Sequence, residues 1–195
     1  MTQTEKPSAN IDLLADKPGF VGPTFSLANR LKRVLWQIVW ALLARWTPPA
    51  AHKWRIALLR MFGADVSWQA YVYGSVKIWA PWNLVMAPYA TLGPDVTAYN
   101  IALITLGPRS VVSQGAHLCT GTHDHRVPSF PLYARPIHLM SRTWVCTGAF
   151  VGPGVNMAAG SVLAAHGVTF TSLEAWTVYL GNPAQVHSSR PIIHD

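Results

Sequence analysis

The chain has 195 residues, a formal net charge of +7 and two cysteines; 50% of its residues are hydrophobic and only 12% are charged. This composition excludes a disordered chain, which needs low hydrophobicity and many charges. The isolated Cys119 and Cys146 exclude a disulfide framework. The length suits one domain with a small appendage. With so few charged residues, we expect apolar surface that another subunit or a membrane covers.

Residues 1–26 are predicted to form an irregular lead-in, because Pro7, Pro18 and Pro23 interrupt any regular element. The segment has neither the basic-then-apolar pattern nor the cleavage site of a secretory signal. The longest apolar run, residues 34–44, is shorter than the roughly 20 residues that a bilayer-spanning helix needs. We therefore expect a cytoplasmic protein, either free or peripheral on the cytoplasmic face of the inner membrane.

The segment 27–62 is predicted to contain two helices, with Ser26 as the cap of the first, Pro48-Pro49 between them and Gly63 at the end. The first helix should cover about residues 27–45 and the second about 50–61. Two apolar stripes follow the first helix at helical spacing. One contains Leu31, Leu35, Ile38 and Leu42, and the other contains Trp36, Trp40 and Leu43.

The same segment is strongly basic, since no Asp or Glu occurs between Asp16 and Asp65. Basic residues interleaved with tryptophan suit an anionic membrane surface better than a DNA groove, so no nucleic-acid partner is expected. Two interpretations remain open: residues 27–62 make peripheral contact with a membrane, or their basic face packs on the protein's own core.

From Val66 onwards, apolar or small residues recur at every sixth position. A helix repeats after about 3.6 residues and a straight strand after about two, so neither produces this period. The members are Val66, Val72, Ile78; Met86, Leu92, Ala98; Leu106, Val112, Leu118; and then, without interruption, Leu139, Val145, Val151, Met157, Leu163, Thr169.

A six-residue period fits a chain that turns a corner after every sixth residue and points one side chain inward on each side. Three sides make one coil of a triangular prism, and stacked coils bury the inward residues in a continuous core. The pattern predicts five coils, from Val66 to about Thr169. Gly93, Gly107 and Gly152 each follow an inward residue, and we expect them to ease the tight corners.

The repeat resembles the hexapeptide-repeat acyltransferases, especially the maltose, galactoside and nodulation O-acetyltransferase group and most of all its colanic-acid-biosynthesis branch. The resemblance implies a mostly β fold: a left-handed parallel β-helix of about five coils, preceded by N-terminal amphipathic helices. It also implies a homotrimer, acetyl-CoA as the donor and a carbohydrate acceptor. The stretches that carry it are Pro81-Trp-Asn-Leu84, Ser113-Gln-Gly-Ala-His-Leu-Cys-Thr-Gly-Thr-His-Asp124, Phe150-Val-Gly-Pro-Gly-Val155 and Gly181-Asn-Pro-Ala184.

The resulting division of the chain has four parts. The lead-in (1–26) and the helical segment (27–62) precede a β-helix acyltransferase domain (63–172). That domain carries an extended loop (119–138), and a C-terminal segment (173–195) completes the cofactor site.

The gap of 21 residues between Leu118 and Leu139 exceeds one coil by three residues, so the chain must leave the prism there as a loop. The loop carries His123 and His125. Imidazole titrates near neutrality and can take the proton of a sugar hydroxyl as its oxygen attacks a thioester. By resemblance, His123 holds the position of the catalytic base and His125 is assigned to substrate binding. Two solvated loop histidines are the alternative.

Asn83 lies in a two-residue insertion between Ile78 and Met86. The corresponding family residue helps to hold the acceptor hydroxyl or the reacting acetyl group, whereas a turn asparagine would satisfy local backbone groups. The resemblance implies direct transfer without an acyl-enzyme. Cys119 and Cys146 are alternative nucleophiles, but Cys146 follows an inward residue, which favours packing.

The resemblance places acetyl-CoA along the prism between two subunits. Trp144, Thr147 and Ala165 match positions that line this channel, and Asn182-Pro183 matches the turn near its far end. Trp144 packs either on the pantetheine arm or in the subunit interface.

Two basic positions of the family are replaced: Thr171 stands where a Lys is usual and Gln185 where a basic residue is usual. Coenzyme A carries phosphates that prefer cationic partners. Arg142 or Arg190 is the candidate replacement.

Two further functions remain open. A metal enzyme resembling the γ-type carbonic anhydrases would use His117, His123 and His125 as zinc ligands. Their close spacing is unlike that family's widely separated histidines, so no metal is expected. A non-catalytic scaffold would keep the prism and have lost cofactor binding, as the missing basic residues suggest.

Overall fold

Three parallel sheets form the faces of a triangular prism in the computed structural model, which describes residues 24–193. Most of the predicted lead-in lies outside the described residues. The first face comprises β1 (Asp65–Val66), β4 (Leu84–Met86), β7 (Ile104–Leu106), β12 (Ile137–Leu139) and β15 (Asn156–Met157). The second comprises β2 (Tyr71–Val72), β5 (Thr91–Leu92), β8 (Val111–Val112), β13 (Trp144–Val145), β16 (Val162–Leu163), β18 (Thr177–Leu180) and the antiparallel β19 (Gln185–Ser189). The third comprises β3 (Lys77–Ile78), β6 (Thr97–Tyr99), β9 (His117–Cys119), β14 (Phe150–Val151) and β17 (Val168–Thr169).

The predicted inward residues form the core of this prism. All fifteen are buried, and the most exposed of them, Ile78, is only 6% exposed. They stack in register from coil to coil: Met86 pairs with Val66 on one side and with Leu106 on the other. An inward side chain in the middle of the stack is thus covered by the coils above and below. Full burial of one such aliphatic side chain contributes about 1.5–3 kcal/mol.

The prism continues beyond the predicted end by a partial sixth coil. Leu173 forms a bridge with Met157, and Tyr179 pairs with Leu163. Both residues are buried. The six-residue repeat does not reveal this coil, because the step from Thr169 to Leu173 is four residues instead of six.

At the corners of the prism, positive φ occurs at a different position from the predicted one. Gly107 has no positive φ, and neither do Gly93 and Gly152, so the prediction that their backbone freedom eases the corners was wrong. A Cβ on Gly107 would lie 2.7 Å from the carbonyl carbon of Met140 and 2.8 Å from the nitrogen of Ser141. This glycine instead lets neighbouring coils approach. Positive φ recurs three residues after the inward residue, at Tyr89, Asp95, Arg109, Gly115, Arg142, Gly148, Gly154, Gly160, His166 and Trp176.

Both predicted helices are present, as α1 (Leu27–Leu43) and α2 (His52–Met61). The tryptophan stripe of α1 faces the prism. The indole nitrogen of Trp36 donates to the carbonyl of Ile78 at 2.8 Å, and that of Trp40 donates to the carbonyl of Val76 at 3.0 Å. These bonds satisfy the two buried indole N–H groups and anchor α1 on the first coil.

The leucine stripe of α1 faces away from the prism. Leu31, Leu35, Ile38 and Leu42 are all more than half exposed. Among residues 24–193, no helix is long and apolar enough to cross a membrane. The stripe is therefore an unpartnered apolar surface on one side of the molecule.

The basic residues of this segment divide between surface and core. Arg55 is fully buried, and its guanidinium donates to the carbonyls of Val72 at 2.6 Å and Pro49 at 2.7 Å. Arg33 is half-buried, with its guanidinium carbon 4.2 Å from the centre of the Trp79 ring. The exposed ones are Arg30, Lys32, Arg45, Lys53 and Arg60. Of the basic residues in this segment, Arg55 therefore packs on the protein's own core, and Arg33 does so in part.

The close approach of coils at Gly107 leads to a prediction. Gly107→Ala should lower the free energy of unfolding by about 2 kcal/mol or more, because the new methyl group meets backbone atoms that cannot move independently. Urea denaturation followed by circular dichroism measures the change.

Gly115→Asn is the matched control. Gly115 has φ +68°, a Cβ added there would meet no atom within 4 Å, and asparagine tolerates this conformation. We expect a change within about 0.5 kcal/mol. Equal losses in the two variants would contradict the packing role of Gly107.

Candidate active site

The predicted loop leaves the prism as a β-hairpin. Strand β10 (Gly121–His123) pairs antiparallel with β11 (Leu132–Ala134), and His123 lies opposite Leu132. The hairpin departs between β9 on the third face and β12 on the first. We call this border, formed by residues 79–83, 99–103 and 119–136, the hairpin edge.

Phe130 orients His123 within the hairpin. The Nδ1 atom of His123 lies 2.8 Å from the carbonyl oxygen of Phe130, and the two rings stack with centroids 4.6 Å apart. A carbonyl oxygen only accepts, so Nδ1 carries the hydrogen. In the neutral imidazole the lone pair is then on Nε2. The exposed His123 can therefore act as a base through Nε2.

The tip of the hairpin is held by an ion pair. Arg126 donates from Nε and Nη2 to the two carboxylate oxygens of Asp124, both at 2.9 Å. These bonds, with the Arg126 backbone N–H, hold the pKa of Asp124 at about 2. Asp124 is thus a carboxylate committed to Arg126, and Phe130, not Asp124, sets the orientation of His123. His125 is exposed on the same tip.

A ladder of polar side chains supports the hairpin edge from below. The amide nitrogen of Asn83, at the end of the 3₁₀ turn Pro81–Asn83, donates to the carbonyls of Asn100 at 3.2 Å and Ile101 at 2.6 Å. The side chain of Asn100 donates to Ala80 and Asn83 carbonyls. Thr120 Oγ1 accepts from Ala102 N at 3.0 Å. We call Asn83, Asn100 and Thr120 the corner ladder. Asn83 thus donates to backbone carbonyls of the next coil, 17 and 18 residues away, and not to the local turn groups that the second interpretation named.

An aromatic pair lies beneath the hairpin. The rings of Trp79 and Tyr99 meet edge to face with centroids 4.9 Å apart. A Cβ on Gly121 would lie 3.1 Å from the Tyr99 ring, so the first residue of β10 rests on Tyr99. Burial, mainly, raises the pKa of Tyr99. Sequence reasoning missed this pair, although each residue directly follows an inward residue on the third face.

The predicted cofactor residues converge on a different border. Val145 pairs with Leu163, so Thr147 and Ala165, each two residues further on, stack one coil apart. Gly181 continues this row, because it follows Tyr179, the partner of Leu163, by two residues. The turn with Asn182 and Pro183 comes next. We call this border, between the second and third faces, the Thr147 edge.

Trp144 lies on the second face, where its indole nitrogen donates to Ser113 Oγ at 2.9 Å. It lines a cleft of about 330 Å³ together with Arg109, Arg142 and Arg190. The Arg190 guanidinium donates to the carbonyls of Arg142 at 2.9 Å and Gly160 at 3.0 Å. Both candidate phosphate ligands thus share one cleft with Trp144, and sequence reasoning missed the third arginine, Arg109.

The described side chains do not favour the two alternative chemistries, a cysteine nucleophile and a zinc site. Burial raises the pKa of both Cys119 and Cys146, which disfavours the thiolate that a nucleophile needs. Burial, and then Lys77, lowers the pKa of His117. Among the described residues, no three His, Cys, Asp or Glu side chains are grouped as a metal site. The zinc set of His117 with the two hairpin histidines is therefore not formed.

The hairpin edge and the Thr147 edge lie on opposite borders of the third face. The five-residue step from Thr147 to Gly152 crosses this face, which makes it about 16 Å wide. Within one chain, the start of the hairpin and the Thr147 edge are thus separated by the width of a sheet.

The chain is similar to acetyltransferases of known sequence and structure. It is 41% identical over 178 residues to the colanic acid biosynthesis acetyltransferase WcaF of Escherichia coli (strain K12), covering 91% of this chain and 98% of that protein. A maltose O-acetyltransferase from Clostridium difficile 630 superimposes with a TM-score of 0.75 at 19% identity, covering 86% and 90%. A hexapeptide-repeat acetyltransferase from Vibrio cholerae O1 biovar eltor, solved with acetyl coenzyme A, has a TM-score of 0.75 at 20% identity, covering 89% and 95%. A scan against protein-family models finds no match.

The left-handed parallel β-helix, together with these acetyltransferase relatives, defines the class of hexapeptide-repeat O-acetyltransferases. Within this class, the chain belongs to the colanic acid biosynthesis acetyltransferase family. The family and the fold that the sequence motifs predicted are thereby confirmed.

Proposed function

We propose that the protein transfers an acetyl group from acetyl-CoA to a sugar hydroxyl in surface or exopolysaccharide biosynthesis, with His123 as the general base. The observation that carries the proposal is the hydrogen bond from His123 Nδ1–H to the Phe130 carbonyl. In the neutral imidazole this bond leaves the lone pair on Nε2, on an exposed hairpin where an acceptor hydroxyl can reach it.

Transfer is direct. Nε2 of His123 takes the hydroxyl proton while the sugar oxygen forms a bond to the acetyl carbon. The carbon–sulfur bond of the thioester breaks, and the proton passes from His123 to the leaving thiolate of coenzyme A. No acyl-enzyme is needed, in keeping with the raised pKa values of Cys119 and Cys146. His125, exposed on the same tip, contacts the acceptor.

The donor lies along the Thr147 edge. Thr147 and Ala165 present backbone and small side chains to the pantetheine arm, with Asn182 and Pro183 at its far end. Thr171 and Gln185 provide no positive charge for the phosphates of coenzyme A. The cleft beside Trp144 supplies these cations instead. Three guanidinium groups, from Arg109, Arg142 and Arg190, line it, and guanidinium is the side chain best matched to phosphate oxygens.

The active unit is a homotrimer. Since about 16 Å of sheet separate the start of the hairpin from the Thr147 edge within one chain, base and donor meet when the hairpin edge of one subunit faces the Thr147 edge of the next.

The leucine stripe of α1 holds the enzyme at an anionic membrane surface. Leu31, Leu35 and Ile38 are more than half exposed, and Trp46, just beyond the helix, is 82% exposed. The exposed basic residues around them have no acidic neighbours in sequence, which suits anionic headgroups. The enzyme then works on the cytoplasmic face, next to a membrane-bound acceptor.

His123→Ala should reduce kcat for acetyl transfer by about 10²–10⁴-fold, because no other group takes the hydroxyl proton. Release of free coenzyme A in the presence of a polysaccharide acceptor measures kcat. His125→Ala is the matched control and should mainly raise the acceptor KM. Near-normal kcat in His123→Ala would remove the assignment of the base.

Two inactive variants should complement each other if the site spans two chains. Ala165→Trp blocks the Thr147 edge, where the native side chain is exposed, and leaves the hairpin intact. Homotrimers of Ala165→Trp or of His123→Ala should both be inactive. Co-expressed chains should regain activity at interfaces where one subunit's His123 meets another's intact Thr147 edge. Continued inactivity of the mixture would place the whole site in one chain.

The triple variant Leu31→Gln, Leu35→Gln, Ile38→Gln should lose co-sedimentation with phosphatidylcholine vesicles that contain phosphatidylglycerol, because the apolar contact is removed. A control with Val186→Gln and Ile192→Gln changes exposed apolar residues far from α1 in the chain and should still sediment. Binding to phosphatidylcholine alone should be weak for all proteins. Unchanged sedimentation of the triple variant would assign the stripe to protein contacts.

A further inference from the structure

A cleft between α1 and the first two coils of the third face takes no part in the reaction described so far. Its volume is about 400 Å³, within the range of sites that hold a small molecule. Its wall is largely aromatic, its floor is the outer surface of β3 and β6, and its rim comes from α1. The lining includes Trp36, Gln37, Trp40, Arg45, Lys77 and Tyr99.

The charge of this cleft is positive. Lys77 and Arg45 both line it, and no Asp or Glu does. Within residues 24–193, neither cation forms an ion pair with a carboxylate. Two like charges beside one apolar cleft repel each other, and an anion between them would relieve that repulsion. The ligand that fits is therefore an anion, and the compact ammonium group of Lys77 suits a phosphate.

The cleft also reaches the foot of the catalytic hairpin. Tyr99 forms part of its wall, and the same ring supports Gly121, the first residue of β10. The carbonyl of Tyr99 accepts from the backbone nitrogen of Thr120 at 3.1 Å. A ligand that lies against Trp79 and Tyr99 is thus next to the segment that carries His123. Aromatic faces of this kind pack well against the apolar face of a sugar ring.

We infer that this cleft binds the acceptor as a glycosyl diphosphate, with the phosphates between Lys77 and Arg45 and the sugar against Trp79 and Tyr99. The inference rests on the proposed function, since it names the substrate class of the same reaction. A nucleotide-linked sugar and a polyisoprenyl-linked sugar both carry this chemistry. The enzyme therefore modifies an activated, diphosphate-linked unit before that unit enters the finished polymer.

Isothermal titration calorimetry tests the inference without requiring turnover. The protein is first saturated with coenzyme A, so that sites for the phosphates of the donor are filled. The probes are inorganic pyrophosphate, UDP-glucose and farnesyl diphosphate, with methyl α-glucoside as the uncharged control. We expect UDP-glucose or farnesyl diphosphate to bind more tightly than methyl α-glucoside, with an affinity that falls as salt is added. The tighter of the two identifies the nucleotide or the lipid source.

Variants locate the binding. Lys77→Gln combined with Arg45→Gln should weaken the diphosphate probes by about tenfold or more, because the two charge-assisted contacts are lost. Ala41→Phe adds a ring at the rim of the cleft, removes no polar group and should also weaken binding. Lys53→Gln removes an exposed cation that does not line this cleft and should leave the affinity unchanged.

The outcomes separate this inference from the proposed function. Absence of binding by all three diphosphate probes, or equal affinity in wild type and the double variant, would overturn the inference. His123→Ala should bind the probes like wild type, since it leaves the cleft intact. Loss of transfer with retained binding in that variant would support both conclusions. Normal transfer by His123→Ala with retained binding would contradict the role of His123 as the base and would leave the binding role of the cleft supported.

Discussion

Close stacking of coils is the constraint on which the rest of this structure depends. Neighbouring strands of a sheet lie about 4.8 Å apart, and each inward residue is buried only because the next coil covers it at that distance. Gly107 shows how little room remains, since a single Cβ there would meet the backbone of Met140 and Ser141. Once this spacing is set, each residue has a defined place on a face or at an edge of the prism. The positions of the hairpin and of the Thr147 row follow from it.

The hairpin edge converts this regular stack into a site. In each of the first three coils the chain adds residues at the same corner, and the corner ladder of Asn83, Asn100 and Thr120 bonds these additions to one another. The hairpin begins directly after Thr120 of the ladder, so its start is fixed to the core although its tip is exposed. Phe130 then orients His123 through its carbonyl and its ring. The imidazole of His123, the proposed base, is thus on a hairpin that starts at the core.

Helix α1 connects the prism to its surroundings on two sides. Trp36 and Trp40 bind the first coil through their indole nitrogens, and the leucine stripe remains exposed on the other side. Between the helix and the third face lies the cleft with Lys77 and Arg45. A single helix therefore packs on the first coil, forms the rim of a charged cleft and presents an apolar surface. In the proposed function these roles bring a membrane-bound, charged acceptor to the hairpin.

The sequence by itself determined the prism, because a period of six leaves every inward position to an apolar or small residue, from Val66 to Thr169. It also determined the excursion that carries His123, since 21 residues do not fit one coil. The tertiary structure decided which stripe of α1 is buried, because two apolar stripes of one helix are equivalent until the β-helix is beside it. It also decided the corner ladder, the Trp79–Tyr99 pair and the cleft with three arginines. Their members are 17 or more residues apart in the chain and meet only because the coils stack in register.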